Sequence, residues 1–321
     1  MPFQSAPAIC PLCQKTSVTR FIQDFKGQND NFSLYQCSVC DGQFWAPFKN
    51  PGAQWYESGD DYNVKDEANP RQIHSYHKYF LASGQSLDKK TILDIGCGTG
   101  EFLAALEKRG ALAYGTDIDP GAVAFAKKFY QPRHIFALAI NDYFQQDQGA
   151  PYDIITAFEV FEHVDEPWTI LTFAQKSLRP GGKLIMSTPS RRRFLINLAY
   201  WDYPYHHLSR WDETAIKKIT ALAGFQSVKI TYLNQFNQLK EVFLEFLAKK
   251  LQFKKASGLK NISQTPTASG FSLKRLIIKI VYRTGRFIGI IIIPYFLAVL
   301  AYPISLIFYP KAGLMYIEAS K

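Results

Sequence analysis

Three groups of residues in this chain of 321 have types and spacings that could do chemistry. The first is Asp94-Ile-Gly96-Cys97-Gly98-Thr99-Gly100 with a second acid at Asp117. Glycines here allow positive φ and let a ligand approach the backbone where a Cβ would block it. The helix that must follow offers free N–H groups. Asp117, at the end of the next apolar run, stands where a carboxylate can accept from both hydroxyls of a ribose. The spacing departs from the dinucleotide fingerprint G-x-G-x-x-G, because Glu101 holds the place of its third glycine. Asp94 would face a diphosphate badly and an ammonium well. The set predicts a ligand with a ribose and a cationic amino group but no phosphates.

The second group is Cys10-x-x-Cys13 with Cys37-x-x-Cys40. Two such knuckles in a short stretch have the spacing of a zinc ribbon, in which four thiolates complete a closed tetrahedral site. The rival is a secreted disulfide framework. The N-terminus MPFQSAPAIC lacks a basic start and an apolar run, so a reduced, structural Zn²⁺ site is expected. The third group is Glu159-Val-Phe-Glu162-His163, directly after the apolar run YDIITAF. Two carboxylates and an imidazole suit Mg²⁺ or a similar hard cation. They also suit His163 as a general base, or Glu162 and His163 as braces of a loop.

These residues need a scaffold. Thr91–Ile95 reads as a strand, Glu101 onward as an amphipathic helix through Phe102, Leu103 and Leu106, and the run ending at Asp117 as a second strand. Asp119-Pro120 opens another helix, and His134–Leu138 forms a third strand. Tyr152–Phe158 is a fourth strand, Trp168–Leu178 a helix stopped by Arg-Pro-Gly-Gly, and Lys183–Ser187 a fifth strand. Asp212 caps a helix to Ala223, and Phe225–Leu233 is a sixth strand. Alternating strands and helices put the acids and glycines at the carboxyl ends of a parallel sheet, where such sheets bind ligands.

The Asp94–Gly100 turn with Asp117 resembles motif I and the acidic position after it in the class I S-adenosylmethionine-dependent methyltransferases. YDIITAFEVFEHVDEP resembles the matching segment of the group that includes the ubiquinone-biosynthesis O-methyltransferases. The resemblance implies an α/β, Rossmann-like seven-stranded class I methyltransferase sheet. It implies S-adenosyl-L-methionine as cofactor, with Asp94, Gly96, Gly98 and Gly100 at its methionine end, Asp117 at its ribose, and Cys97 and Ile118 also among the cofactor-binding residues. Asp142, or its neighbour Asn141, would read the adenine, and Glu159 is also placed among the cofactor-binding residues. In that group the Glu-x-x-Glu-His segment accompanies a divalent metal, here at Glu159, Glu162 and His163. The loop Ser190–Trp211 would face the acceptor, with Tyr203, Tyr205, His206 and His207 as contact or proton-transfer candidates. Glu162, His163, His206 and His207 form the catalytic set. The cysteine ribbon resembles the small module preceding the catalytic domain in many bacterial methyltransferases of small molecules and sugars.

The net charge of +10 is local. Residues 1–239 hold 24 basic and 24 acidic residues, whereas 240–286 hold 11 basic and two acidic. That distribution argues for anionic lipid more than nucleic acid. Asn237 onward has an amphipathic period, a polar linker follows, and Phe287–Tyr309 carries no charge. Pro294 and Pro303 interrupt that apolar run, and Leu314–Glu318 has strand character suited to closing the sheet beside the sixth strand. A membrane-associating hairpin or interfacial insertion is therefore expected ahead of a final strand. A single span and a buried helix pair are the alternatives. Arg191, Arg192 and Arg193 read as a solvated triplet, with an anionic substrate or lipid headgroups as the other reading.

The expected organisation is a zinc ribbon over 1–50, a connecting helix or lid over 51–90 and a catalytic core over 91–236. A C-terminal apolar insertion over 237–311 and a last core strand over 312–321 complete it. The expected activity is methyl transfer to a small molecule or a lipid-linked envelope or saccharide precursor at the inner face of the cell membrane. O-methylation of a quinone-like lipid is the alternative. An RNA methyltransferase and a non-catalytic cofactor-binding scaffold are the readings from other classes. Nothing in the sequence selects an oligomeric state.

Overall fold

The computed structural model describes residues 7–27, 30–58, 73–146, 151–193, 197–233, 235–237, 239–240, 243, 293–308, 311 and 313–321. The chain forms two compact units. One comprises Met1–Arg191, Tyr200–Leu233 and Leu314–Lys321; the other comprises Arg192–Ala199 and Asn234–Gly313.

The strands of the first unit are β1 (Thr19–Lys26), β2 (Asn31–Cys37), β3 (Gln43–Ala46), β4 (Thr91–Ile95), β5 (Leu112–Asp117) and β6 (His134–Ala137). After these come β7 (Tyr152–Phe158), β8 (Leu178–Pro189), β9 (Ser209–Arg210), β10 (Ser227–Leu233) and β11 (Leu314–Ser320). Its helices are α1 (Ala53–Ser58), α2 (Ser75–Leu81), α3 (Glu101–Glu107), α4 (Pro120–Phe129), α5 (Ile140–Gln146), α6 (Pro167–Ser177) and α7 (Glu213–Leu222).

Seven strands form one sheet in the order β10-β11-β8-β7-β4-β5-β6. β6, β5, β4, β7 and β8 run parallel, and β11 is antiparallel to both its neighbours. Every residue of β4 is buried, as expected of a central parallel strand covered on both faces. Asp119 caps α4 by accepting from Gly121 N at 2.8 Å, with Pro120 in the first turn, and Asp212 caps α7 by accepting from Ala215 N at 3.0 Å. The Arg-Pro-Gly-Gly stop behaves differently from its reading as a helix end alone. β8 begins at Leu178, and the register slips opposite Tyr152/Ile154, so the glycines, Gly181 at φ +76°, form a bulge within the strand. The last strand takes the place expected of it, with Leu314 paired to Leu233.

The cysteine region is a second sheet, β1-β2-β3-β9. Its fourth strand, β9, is contributed by the stretch between β8 and α7, in the register Gln43↔Arg210 and Phe44↔Ser209. The four cysteines belong to the same buried cluster as Leu93, Ile155, Met186 and Trp211, so ribbon and large sheet share one core. Arg191 joins them as well. It is buried, pairing with Asp41 at 2.7 Å and Asp212 at 2.8 Å, which corrects its reading as a solvated residue. Two buried or half-buried carboxylates supply the compensation that burial of a guanidinium requires.

In α2, Phe80 is buried, His77 stacks on Phe102 at 4.3 Å, and Tyr79 meets Tyr316 edge-on at 4.8 Å. Residues 59–72, which belong to the lid reading, lie outside the described residues.

In the second unit, Ile293–Phe308 is one helix that runs through Pro303 rather than breaking there, with Phe236 against Tyr295 and Tyr302. Tyr295, Phe296, Leu300 and Ile307 are exposed along it. Among the described residues no helix is long and apolar enough to cross a membrane. Most of the expected insertion, including 244–292, lies outside the described residues.

Candidate functional site

The glycine turn sits where β4 ends. Gly96 N and Cys97 N donate to Thr116 O at 2.8 and 3.1 Å, holding the turn against β5. Gly96 has φ +71°, and a Cβ there would fall 2.3 Å from Val160 Cγ2. Gly100, at φ +80°, precedes the first residue of α3, and its Cβ would meet that of Ala126 at 2.7 Å. Both positions therefore exclude any side chain.

Asp117 ends β5 and accepts from Gly98 N at 2.8 Å and Asp119 N at 2.9 Å. Burial raises its pKa, partly offset by those amides. Asp94 is buried beneath the turn, its carboxylate accepting from Thr156 Oγ1 at 2.6 Å, and burial pushes its pKa up to about 7. A buried carboxyl raised in this way gains from any cation placed near it.

A cavity of about 450 Å³ opens over these strand ends. Gly96, Gly98, Thr116, Asp117 and Ile118 line one side, Leu138–Asn141 another, and Glu159, Val160 and His163–Glu166 a third. The volume is that of a small-molecule site. Of the expected cofactor residues, Gly96, Gly98, Asp117, Ile118 and Glu159 line it. Asn141 lines it where Asp142 does not, and Asn141 Nδ2 donates to Glu166 Oε2 at 2.8 Å. Asp94 and Gly100 lie behind the wall. Cys97 turns into the core, its Sγ 2.8 Å from where a Cβ on Gly115 would stand, so its thiol packs instead of facing the cavity.

Glu159 follows β7 with φ +54°, a left-handed conformation rare for a side-chain-bearing residue and typical of functional sites. Ser187 holds it there: Glu159 N donates to Ser187 O at 3.0 Å, and Ser187 Oγ donates to Glu159 Oε1 at 3.0 Å. Burial lifts the Glu159 pKa to about 7. Glu162 is buried one turn later. Among the described residues neither carboxylate oxygen has a well-formed hydrogen bond, and burial, followed by the charge of Glu159, raises its pKa well above the carboxylate range, with the Thr188 hydroxyl offsetting part of the rise.

His163 Nδ1 lies 2.5 Å from His206 O, which fixes the proton on Nδ1 and leaves Nε2 as a lone pair, 3.9 Å from Glu162 Oε1. Burial holds His163 down at about 3, so its ring is neutral. His207 joins the pair. Its ring centroid is 4.9 Å from that of His163, and one donor atom each from Glu162, His163 and His207 lies within 4.8 Å of the others. His207 Nδ1 is 3.7 Å from Asp202 Oδ1. The group whose donor atoms converge closely enough that they could hold a cation is Glu162, His163 and His207, whereas the sequence reading named Glu159 with Glu162 and His163; here Glu159 Oε1 accepts from Ser187 Oγ. His206 contributes its carbonyl.

The four cysteines also converge. Cys10 and Cys40 Sγ are 4.0 Å apart, as are Cys13 and Cys37 Sγ, and all four are fully buried. Tetrahedral bonds of about 2.3 Å place thiolates about 3.8 Å apart, so the group fits a closed Zn²⁺ site with no position for water. Hydrogen bonds with Cys10 and then Cys40 hold the Cys13 thiol down, while hydrogen bonding to Cys13 raises Cys10, and hydrogen bonding to Cys10 and then Cys13 raises Cys40. Four buried sulfurs cannot all ionise without a cation among them.

Asn50 was legible only as loop punctuation. It lines the cavity, donates through Nδ2 to His163 O at 2.8 Å and through its backbone to Asp165 Oδ2 at 3.0 Å, and accepts from Gly52 N at 2.8 Å. The Asn-Pro-Gly signal shows a turn but not what that turn touches.

Residues 66–230, just over half of the chain, match a family described as "Methyltransferase domain". Similar proteins named ubiquinone biosynthesis O-methyltransferase include one from Hydrogenovibrio crunogenus, 30% identical over 140 residues, covering 43% of this chain and 56% of the relative. Another, from Acinetobacter baylyi, is 28% identical over 155 residues, covering 47% of this chain and 63% of the relative. The chain spans less than two thirds of the length of these relatives. Among solved structures, phosphoethanolamine N-methyltransferase 2 of Haemonchus contortus, in complex with S-adenosyl-L-methionine, aligns with a TM-score of 0.51 at 14% identity, covering 94% of this chain and 71% of that one. That likeness concerns the fold alone.

Proposed function

Because the chain belongs to the class I S-adenosylmethionine-dependent methyltransferases, we propose that it methylates an oxygen of a small or lipid-borne acceptor. The observation that carries this reading is the shared cavity, with Asp117 and the glycine turn on one wall and Glu159 and His163 on another. When bound, the cofactor supplies an electrophilic methyl group on a sulfonium. Asp117 would accept from the ribose, Asn141 would meet the adenine, and the buried carboxyl of Asp94 behind the turn would favour the cationic end. The remaining work is alignment of the acceptor oxygen with the methyl and removal of its proton.

For that proton we favour a divalent cation held by Glu162, His163 and His207 over His163 acting as a free base. A ring held down at about 3 is a poor proton acceptor but is already in the neutral form that a metal binds. The buried Glu162 carboxylate beside it, with no well-formed hydrogen bond among the described residues, fits the same role. A cation there would acidify a bound phenol or enol. Two imidazoles with one carboxylate suit Mn²⁺, Fe²⁺ or Zn²⁺ better than Mg²⁺.

The names of the relatives and the Glu159–His163 segment together favour a quinone-like phenol over a lipid-linked saccharide as acceptor. The saccharide reading keeps the support of the ribbon module. Either acceptor is compatible with a membrane surface on the inner side of the cell. The basic stretch 240–286 and the exposed apolar helix Ile293–Phe308 support such a surface.

The test incubates the protein and methyl-labelled cofactor with separate lipid, polar and nucleic-acid extracts. Label in an ether-linked methyl of the lipid fraction is expected, and label in nucleic acid would overturn the reading. For the membrane, alkaline carbonate should leave the full chain in the pellet and release a chain lacking 271–311.

A further inference from the structure

We propose that the cysteine ribbon positions the Glu162–His163–His207 group, so that the state of the ribbon is felt at the acceptor side of the cavity. The proposal rests on reading that group as the acceptor-activating site.

The ribbon reaches the group along two independent routes. β3 begins just beyond Cys40, and its Trp45 donates twice into the segment that carries His207: Trp45 N to Leu208 O at 3.0 Å and Trp45 Nε1 to Asp202 O at 2.8 Å. Asp202 is the acid facing His207 Nδ1, and Leu208 N and Ser209 N in turn donate to the Glu162 carbonyl at 2.8 and 3.1 Å. One strand of the ribbon thereby fixes the backbone of both His207 and Glu162. The second route is Asn50, at the end of the ribbon, whose side-chain amide donates to the His163 carbonyl while its backbone amide donates to Asp165.

His207 lies far along the chain from Glu162 and His163, and the β3–β9 pairing brings it to them. A metal in the cysteine site would set the path of the turn between β2 and β3. Cys37 Sγ there accepts from Val39 N and Cys40 N at 3.3 and 3.5 Å. Arg191 ties the same turn to α7 through Asp41 and Asp212. Trp45 and Asn50 are positioning residues. They act through the backbone of the group and through Asp202, and outer partners of this kind govern metal affinity as well as geometry.

The experiment uses the full zinc-loaded chain and two mild variants, Trp45→Phe, which keeps the ring bulk, and Asn50→Ala. It measures S-adenosylmethionine affinity by calorimetry, Mn²⁺ affinity by electron paramagnetic resonance, and histidine tautomers by long-range ¹H–¹⁵N correlation. In each variant the histidine signals of His163 or His207 should shift and Mn²⁺ should bind roughly ten-fold or more weakly, and in Trp45→Phe, whose ring lies outside the cavity lining, cofactor affinity should stay essentially unchanged. Unaltered His163 and His207 signals in both variants overturn the proposal, whether or not the parent binds Mn²⁺. Loss of cofactor binding in Trp45→Phe in step with the histidine changes also overturns it, because the ribbon would then support the whole core and not this group. A parent chain that fails to bind S-adenosylmethionine overturns the functional reading instead.

Discussion

The amide of Gly98 donates to the carboxylate of Asp117 at 2.8 Å, so the acid that ends β5 braces the glycine turn that follows β4. One side chain therefore shapes the turn and offers its remaining lone pairs to the cavity. Asp117→Ala removes both contributions. S-adenosylmethionine affinity should fall by about 100-fold or more, some 2.7 kcal/mol. Calorimetric binding within a few-fold of the parent would sink the ribose assignment.

Asp94 gives a prediction with two signs. Its pKa is near 3.8 unfolded and about 7 folded, so the native chain binds the extra proton and this group's contribution to stability is lost as pH rises from about 4 through 7. Asp94→Asn should therefore stabilise the cofactor-free protein at pH 8, by on the order of a few kcal/mol, and hardly change it at pH 4. The same variant should bind S-adenosylmethionine more weakly. In the parent, affinity should rise with pH up to about 7 and then level off. Denaturant melts at the two pH values, with calorimetry beside them, check both signs.

Gly96→Ala should destabilise by about 1–3 kcal/mol, since the new methyl meets Val160 and the backbone is left-handed. Adding Val160→Ala should recover only part of that loss, because it removes the clash but leaves the φ of +71°. Full recovery in a chemical melt would show that backbone strain counts for nothing at this turn.

The cysteine site should carry one Zn²⁺ per chain with four sulfur neighbours at about 2.3 Å in X-ray absorption. Acidification should release it as the thiolates take up protons, and the melting temperature should fall with metal content. A chain that shows no change in melting temperature on complete chelation would rule out a structural role.

The turn and the strand ends beside it were legible because only glycine readily takes the positive φ at Gly96 and Gly100, and the apolar runs before Gly96 and through Asp117 mark β4 and β5. The last strand was legible from its apolar run Leu314–Ile317 and its place in the chain. His207 was not grouped with Glu162 and His163, because its arrival depends on β3 pairing with β9, and periodicity does not say which distant segment an edge strand will join. Arg191 read as solvated because a basic triplet gives no sign of the buried Asp212 and half-buried Asp41 waiting for it. Cys97 sits in the right motif yet faces the core, since Gly115 leaves a space that a small apolar thiol fills.

Leu233 and Leu314 are directly paired across β10 and β11, so the segment Asn234–Gly313 leaves and re-enters the sheet at cross-strand partners. Topologically it occupies the place of a hairpin turn. Closure entropy grows only slowly with loop length, so a segment in that position can lengthen, shorten or change character at little thermodynamic cost to the sheet. The sheet and the segment inserted at its edge can therefore diverge independently, and grafting a two-residue turn between Leu233 and Leu314 would separate one from the other.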